Sequence, residues 1–342
     1  QLQYSGPLLL PALARQIIPR LEADGIHANE TDIVVGSSAQ QWIILGVQVA
    51  ARLIGQEHPL IAVEEPGYAT IFDSLEYQGY RLVGMEVDQH GVLPSSMAQA
   101  LSQGASVVLL TPRALNPTGV SWTRERAAEL AAVLTSYPGS IVIEDDHFAG
   151  LAATNPGSLL GYTAIEDRVI YVRSFSKSIA PDLRLAIAVA RSPLRVLLAE
   201  AKAFADGWSS HLAQLSLAHI LAQPELDTLL AGAREAYAER LAAATSTLSV
   251  AKDLATVTPS ADGVNLWVRL APGIEASEVV EQAASLGVLV APGEPFFVRI
   301  GHNDSVRINA GAVSLHGAAK AGEYLAEAIG RAANVTSNTV VI

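Results

Sequence analysis

The chain has 342 residues, half of them apolar and 16% charged, which is enough to bury a large core and to build a second, smaller unit beside it. A formal net charge of −12 with no cluster of Lys and Arg argues against nucleic-acid contact by this stretch of chain. With no cysteine there is neither a disulfide framework nor a thiolate metal site, and no apolar run reaches the roughly 18–20 residues of a membrane span. The chain begins at Gln1-Leu2-Gln3-Tyr4, without an initiator methionine or the charged-then-apolar pattern of a signal peptide. We expect a fragment or processed chain in the cytoplasm, with something missing upstream.

In chain order, residues 7–24 carry a helical pattern (Leu13, Ile17, Ile18, Leu21) that ends near Gly25. Ile33-Val34-Val35 reads as a short strand, and Gly36-Ser37-Ser38-Ala39-Gln40-Gln41 leads from it into a helix through about Leu53. Strands and helices then alternate. Strands are expected at Leu60–Glu64, Arg81–Val87, Ser106–Thr111, Ser140–Glu144, Val169–Arg173 and Leu185–Ala190, and helices at Thr70–Gln78, Pro94–Ser102 and Thr123–Ser136. Several of these strands are apolar throughout, as in a mainly parallel sheet covered on both faces. From Ser192 to about Ala251 the pattern is helical and alanine-rich. Beyond it, strands at Val264–Leu270, Val288–Val290 and Val306–Asn309, with helices at Ala276–Leu286 and Ser314–Arg331, predict a smaller α+β unit. The tail Asn334–Ile342 reads as a frayed terminus or an added strand. The expected division is an N-terminal helical segment at 1–30, a large domain at 31–240 and a small one at 241–342.

Polar residues gather where these strands end, the edge at which such sheets collect ligands. Ser174-Phe175-Ser176-Lys177 follows the strand Val169–Arg173, and Arg184 comes seven residues after the lysine. A lysine in that place suits a Schiff base to pyridoxal phosphate, because partial burial lowers its pKa, while Ser174, Ser176 and Arg184 can hold a phosphate. An exposed loop lysine is the plain alternative. Gly36-Ser37-Ser38-Ala39-Gln40 can receive an anion at a helix N-terminus, or simply cap that helix. Tyr68, in Glu65-Pro66-Gly67-Tyr68, offers a ring for stacking or fills a loop. Asn116-Pro117-Thr118-Gly119 gives a rigid turn bearing an amide. Glu144-Asp145-Asp146-His147 ends another strand; one carboxylate there can keep a pyridine nitrogen protonated, or the group can hold a metal or cap a loop.

In this order, Ser38-Ala39-Gln40, Tyr68, Asn116-Pro117-Thr118-Gly119, Asp145, Ser174-Phe175-Ser176-Lys177, Arg184 and Arg307 resemble the fold-type I pyridoxal-phosphate enzymes of aminotransferase class I/II over nearly the whole chain. The nearest subgroup by motif is the aminotransferase-like domain of MocR-type regulators in the GntR superfamily, marked by Thr111-Pro112-Arg113 before Asn116-Pro117-Thr118-Gly119, by Glu144-Asp145-Asp146, and by Ser174-Phe175-Ser176-Lys177-Ser178-Ile179-Ala180-Pro181 with Arg184. The resemblance implies an α/β fold of the aspartate-aminotransferase type: three αβα layers around a mainly parallel sheet, plus a smaller C-terminal α+β domain. It implies pyridoxal 5′-phosphate as cofactor, held as an internal aldimine by Lys177, which also shuttles the proton. Asp145 then pairs with the ring nitrogen, Asn116 with the ring oxygen and the substrate, and Tyr68 stacks on the ring. Ser38, Ala39, Gln40, Ser174 and Arg184, helped by Ser176, hold the phosphate. Arg307 grips the substrate carboxylate, and Tyr4 reaches the partner subunit's phosphate in a homodimer. Two positions depart from the pattern: His147 stands where the subgroup has a tyrosine donating to the ring oxygen, and Thr70 where some relatives have a second carboxylate-binding arginine. Two functions follow as expectations. One is an aminotransferase acting on an amino acid and a 2-oxo acid. The other is the effector-sensing domain of a regulator that touches DNA only through a domain upstream.

Overall fold

The structure is a computed structural model that describes residues 7–260 and 262–338; Tyr4 lies outside them. Its main sheet has eight strands: β1 (Ile33–Gly36), β2 (Leu60–Glu65), β3 (Arg81–Asp88), β4 (Gly91–Val92), β5 (Ala105–Leu110), β6 (Ile141–Asp146), β7 (Val169–Ser174) and β8 (Ala186–Ala190). Their spatial order is β1-β8-β7-β6-β5-β2-β3-β4. Pairing is parallel from β7 through β6, β5 and β2 to β3; β8 runs antiparallel between β1 and β7, and β4 folds back on β3.

The apolar strands are covered on both faces. On one face Leu13, Ile17 and Leu21 of α1 (Pro11–Ala23), Met97 of α4 (Pro94–Ser102), Leu130 of α5 (Arg124–Thr135) and Leu217 of α7 (His211–Leu221) meet Val108, Val142 and Ile187. On the other, Trp42 and Val47 of α2 (Ala39–Ile54), Ile71 and Leu75 of α3 (Ala69–Tyr77) and Leu198 of α6 (Leu194–Asp206) meet Val63, Leu109, Ile143 and Val172. Alternate residues of each strand thus feed opposite cores, which produces the three layers.

The long helix α8 (Leu226–Leu248) starts against the first of these cores with Leu226 and ends in another with Leu241, Ala244 and Leu248. That second unit is an antiparallel sheet in the order β11-β12-β10-β9, formed by β9 (Ala255–Val257), β10 (Asn265–Leu270), β11 (Ala291–Pro292) and β12 (Ser305–Asn309), with α9 (Ala276–Ser285) and α10 (Leu315–Asn338) packed on it. The strand expected at 288–290 is not one. Val288 N donates to Ala283 O and Gly287 N to Ala284 O, with Gly287 at φ 82°, so this backbone closes the end of α9 and the strand starts only at Ala291. The described part of the tail continues α10 to Asn338 and adds no strand.

Candidate active site

Strands β1, β2, β5, β6 and β7 all end on one edge of the main sheet. Register puts Gly36, Ala186 and Ser174 in a single row across β1, β8 and β7. Ser38, Ser174 and Arg184 therefore lie around strand ends spread over about 10 Å, two strand spacings. Ser38 caps α2: its Oγ accepts from Gln41 N at 3.1 Å, while the first N–H groups of this 16-residue helix, including that of Ala39, face outward with the positive end of the dipole. Gln41 Oε1 accepts from both the N–H and the hydroxyl of Ser37, at 2.8 and 3.0 Å, which closes the loop ahead of the cap. The Gln40 side chain is tied to Ser74 Oγ at 3.0 Å. Ser174 Oγ accepts from Ser176 N at 3.3 Å, and Arg184 takes a left-handed backbone (φ 49°, ψ 54°) just before β8.

The acidic run at the end of β6 is divided by alternation. Glu144 accepts from the Ser158 hydroxyl and from Leu159 N at 2.7 Å; Asp146 accepts from Tyr171 Oη at 2.5 Å and pairs with Arg113 at 3.1 Å. Asp145 points the other way. Its Oδ2 lies 3.3 Å from His147 Nδ1, and its Oδ1 is buried with no partner. Among the described residues no three His, Asp or Glu side chains are placed to hold a metal ion.

His147 faces Asp145 through one ring nitrogen and leaves the other free. Its Nδ1–H donates to Asp145, so in the neutral ring Nε2, buried and unpartnered, is an acceptor. It can donate to a ring oxygen, as the replaced tyrosine would, only as the imidazolium.

Lys177 stands open to this cleft, with Nζ 5.6 Å from the centre of the Phe148 ring. The protein mass around the amine pushes its pKa down to about 8; Asp145 opposes that shift and Arg307 adds to it. Arg307 Nη1 donates to Asn116 Oδ1 at 2.9 Å, and its guanidinium lies 5.0 Å from the centre of the Phe296 ring. Burial lowers the Arg307 pKa, with Tyr68 acting against it. Tyr68 is 38% exposed, on a turn pinned by Gly67 N donating to Phe296 O at 2.8 Å. Lys177, Asp145, His147, Asn116, Arg307 and Tyr68 thus converge on one cleft between the main sheet and the small one.

Two residues here escaped the sequence reading. Asn265 on β10 donates from Nδ2 to Asn116 Oδ1 at 3.3 Å. Glu64, at the end of β2, is 4% exposed and lines a small hollow with Tyr68, Thr111 and Asp145. Burial pushes its carboxyl up to about 8 against hydrogen bonds from Thr111, and Asp145 raises it further. The available signal was a lone amide in the apolar run Val264–Leu270 and a carboxylate at the end of a buried strand. Both patterns also suit ordinary surface positions, which is why neither stood out.

Residues 2–329 match the family model for aminotransferase class I and II. Among curated proteins, the vitamin B6 salvage pathway transcriptional repressor PtsJ of Salmonella typhimurium is 38% identical over 241 residues, 70% of this chain and 54% of the relative. The 2-aminoadipate transaminase of Thermus thermophilus is 28% identical over 314 residues, 90% of this chain and 77% of that protein. The chain thus spans just over half the length of the repressor it matches. Among solved structures, LysN, the alpha-aminoadipate aminotransferase of Thermus thermophilus complexed with N-(5′-phosphopyridoxyl)-L-leucine, superposes with a TM-score of 0.84 at 25% identity, over 98% of this chain and 85% of that one.

Proposed function

The chain belongs to the aminotransferase class I and II family, and on that premise we propose that it holds pyridoxal 5′-phosphate covalently at Lys177 and acts through it on the amino group of an α-amino acid. When bound, the cofactor supplies a protonated pyridine ring that accepts electrons from a breaking Cα bond. The residues fit such a group. Asp145 Oδ1 is a buried acceptor without a partner, suited to a ring N–H; the N-terminus of α2 with Ser38, Ala39 and Gln40, together with Ser174 and Arg184, suits a phosphate. Ser176 supports the Ser174 turn through its backbone N–H. Tyr68 covers a ring face, and the Asn116 NH₂ serves the ring oxygen.

The observation that carries this reading is geometric: the Lys177 amine opens onto the cleft where the unpartnered Asp145 Oδ1 and the Asn116–Arg307 pair meet, and its pKa is lowered to about 8 there. An amine in that range is unprotonated often enough near neutral pH to attack a carbonyl, and later to take a proton from the substrate Cα and return it. Arg307 orients the substrate carboxylate, which aligns the Cα–H bond for removal. An amino acid and a 2-oxo acid are the substrates in this reading, a homodimer in the cytoplasm is its assembly, and positions 31–240 and 241–342 are its large and small domains. Borohydride treatment of protein loaded with pyridoxal phosphate should fix the cofactor on Lys177, and Lys177→Ala should abolish attachment. Trapping on a different lysine would remove the assignment.

A second reading is favoured by the 38% identity to a transcriptional repressor: the same pocket senses an amino acid or the cofactor for a regulator whose DNA contacts lie elsewhere. Turnover with an amino donor and an oxo acceptor separates the two. Many cycles per site support the enzyme, and a single spectral change without turnover supports the sensor.

A further inference from the structure

The two ends of the Asn116 amide do different chemistry, and its oxygen takes two donors. Arg307 Nη1 reaches Oδ1 at 2.9 Å and Asn265 Nδ2 at 3.3 Å. These donors come from neighbouring strands. Asn265 pairs with Asn309 and Trp267 with Arg307 across β10 and β12, so alternation puts positions 265 and 307 on one face of the small sheet. The turn that carries Asn116 is fastened to the same segment. Ser260 Oγ donates to Gly119 O at 2.5 Å, and Gly119, at φ 74°, packs so closely that a Cβ would lie 3.1 Å from Asn265 O.

Rotated by half a turn, the Asn265 amide would set its oxygen against Asn116 Oδ1, so the hydrogen-bond chemistry selects the donating orientation. Its own Oδ1 is buried without a partner, an arrangement that a merely structural asparagine rarely keeps.

Building on the cofactor reading above, we infer that Asn265 is a positioning residue that keeps the Asn116 oxygen turned toward the small sheet and its NH₂ toward the cofactor. Arg307 alone does not suffice, because a substrate carboxylate competes for the same guanidinium. Asn265 holds the amide while Arg307 is engaged.

The test is a pH titration of the cofactor's absorption band in protein loaded with pyridoxal phosphate. Asn265→Asp puts a carboxylate against Asn116 Oδ1; the amide turns to donate to it and presents a carbonyl to the cofactor. A lost donor to the ring oxygen favours its protonated form, so the midpoint should rise by about one unit or more. Cofactor affinity, set largely at the phosphate, should change by less than about threefold. Asn265→Ala should leave the midpoint near wild type, and raise it only when saturating propionate occupies Arg307. If both variants keep the wild-type midpoint with and without propionate and lose only thermal stability, Asn265 is structural and the inference is wrong. A wild-type protein that takes up no pyridoxal phosphate instead overturns the cofactor reading beneath it.

Discussion

Glu64 gives the sharpest quantitative test of the cleft's electrostatics. Its carboxyl is raised from 4.5 to about 8, first by burial. Between these values the unfolded chain has lost the Glu64 proton while the folded chain keeps it, so the folded state binds more protons and stability falls as pH rises. At about 1.4 kcal/mol per pH unit over about 3.5 units, the loss attributable to Glu64 is on the order of 4–5 kcal/mol, complete once pH passes about 8. Glu64→Gln keeps the shape and a neutral polar group but has nothing to titrate. The difference in unfolding free energy between variant and wild type, measured by urea denaturation of cofactor-free protein from pH 4 to 9, should therefore be flat below about 4.5. It should then grow in the variant's favour and level off above 8. Other groups, including Glu144, raised to about 7 by burial, cancel in that difference. Parallel curves for the two proteins would show that Glu64 titrates as an ordinary carboxylate and refute the reasoning. A neutral Glu64 also leaves Asp145 as the nearby carboxylate able to face a pyridine nitrogen.

Arg307→Lys keeps the charge and loses the planar fork with which a guanidinium grips a carboxylate. Loaded protein should stay yellow, while amino-acid affinity read from the spectral change drops about 10–100-fold, the equivalent of a charged contact of roughly 1.5–3 kcal/mol. Loss of cofactor with amino-acid binding intact would reverse the roles assigned to Arg307 and the phosphate residues. Arg184→Ala should weaken pyridoxal phosphate binding at least about tenfold and leave pyridoxal almost unaffected, by equilibrium dialysis with each; equal losses for both would exclude a phosphate contact. Far from the cleft, Arg126 is 9% exposed and donates to both Asp88 oxygens at 3.0 and 2.9 Å and to the carbonyls of Gly91 and Val92 at 3.0 and 2.8 Å. Arg126→Met should cost about 3 kcal/mol in urea unfolding, since it strands those acceptors. A change under about 1 kcal/mol would mean that water replaces the guanidinium.

The amino-acid sequence by itself determined the layered α/β plan and the order of the chemical groups. Apolar runs of strand length and helices of period 3.6 are local properties; Lys177, Asp145 and Asn116 each follow an expected strand where composition changes, and Arg307 lies within one. Tertiary structure decided what those groups meet. Glu144, Asp145 and Asp146 are equivalent in sequence; only their alternation about the end of β6 gives two of them to Ser158, Tyr171 and Arg113 and leaves Asp145 for the cleft. The antiparallel direction of β8, which brings Arg184 beside Ser174, depends on pairing and not on strand composition. Val288 looked like a strand residue and became part of a helix end, because its N–H was needed by a carbonyl of α9. His147 turned to Asp145, and Asn265 reached Asn116 from 149 residues away. Contacts of that separation leave no periodic trace in the chain, since they exist only once the main sheet and the small one have been brought together.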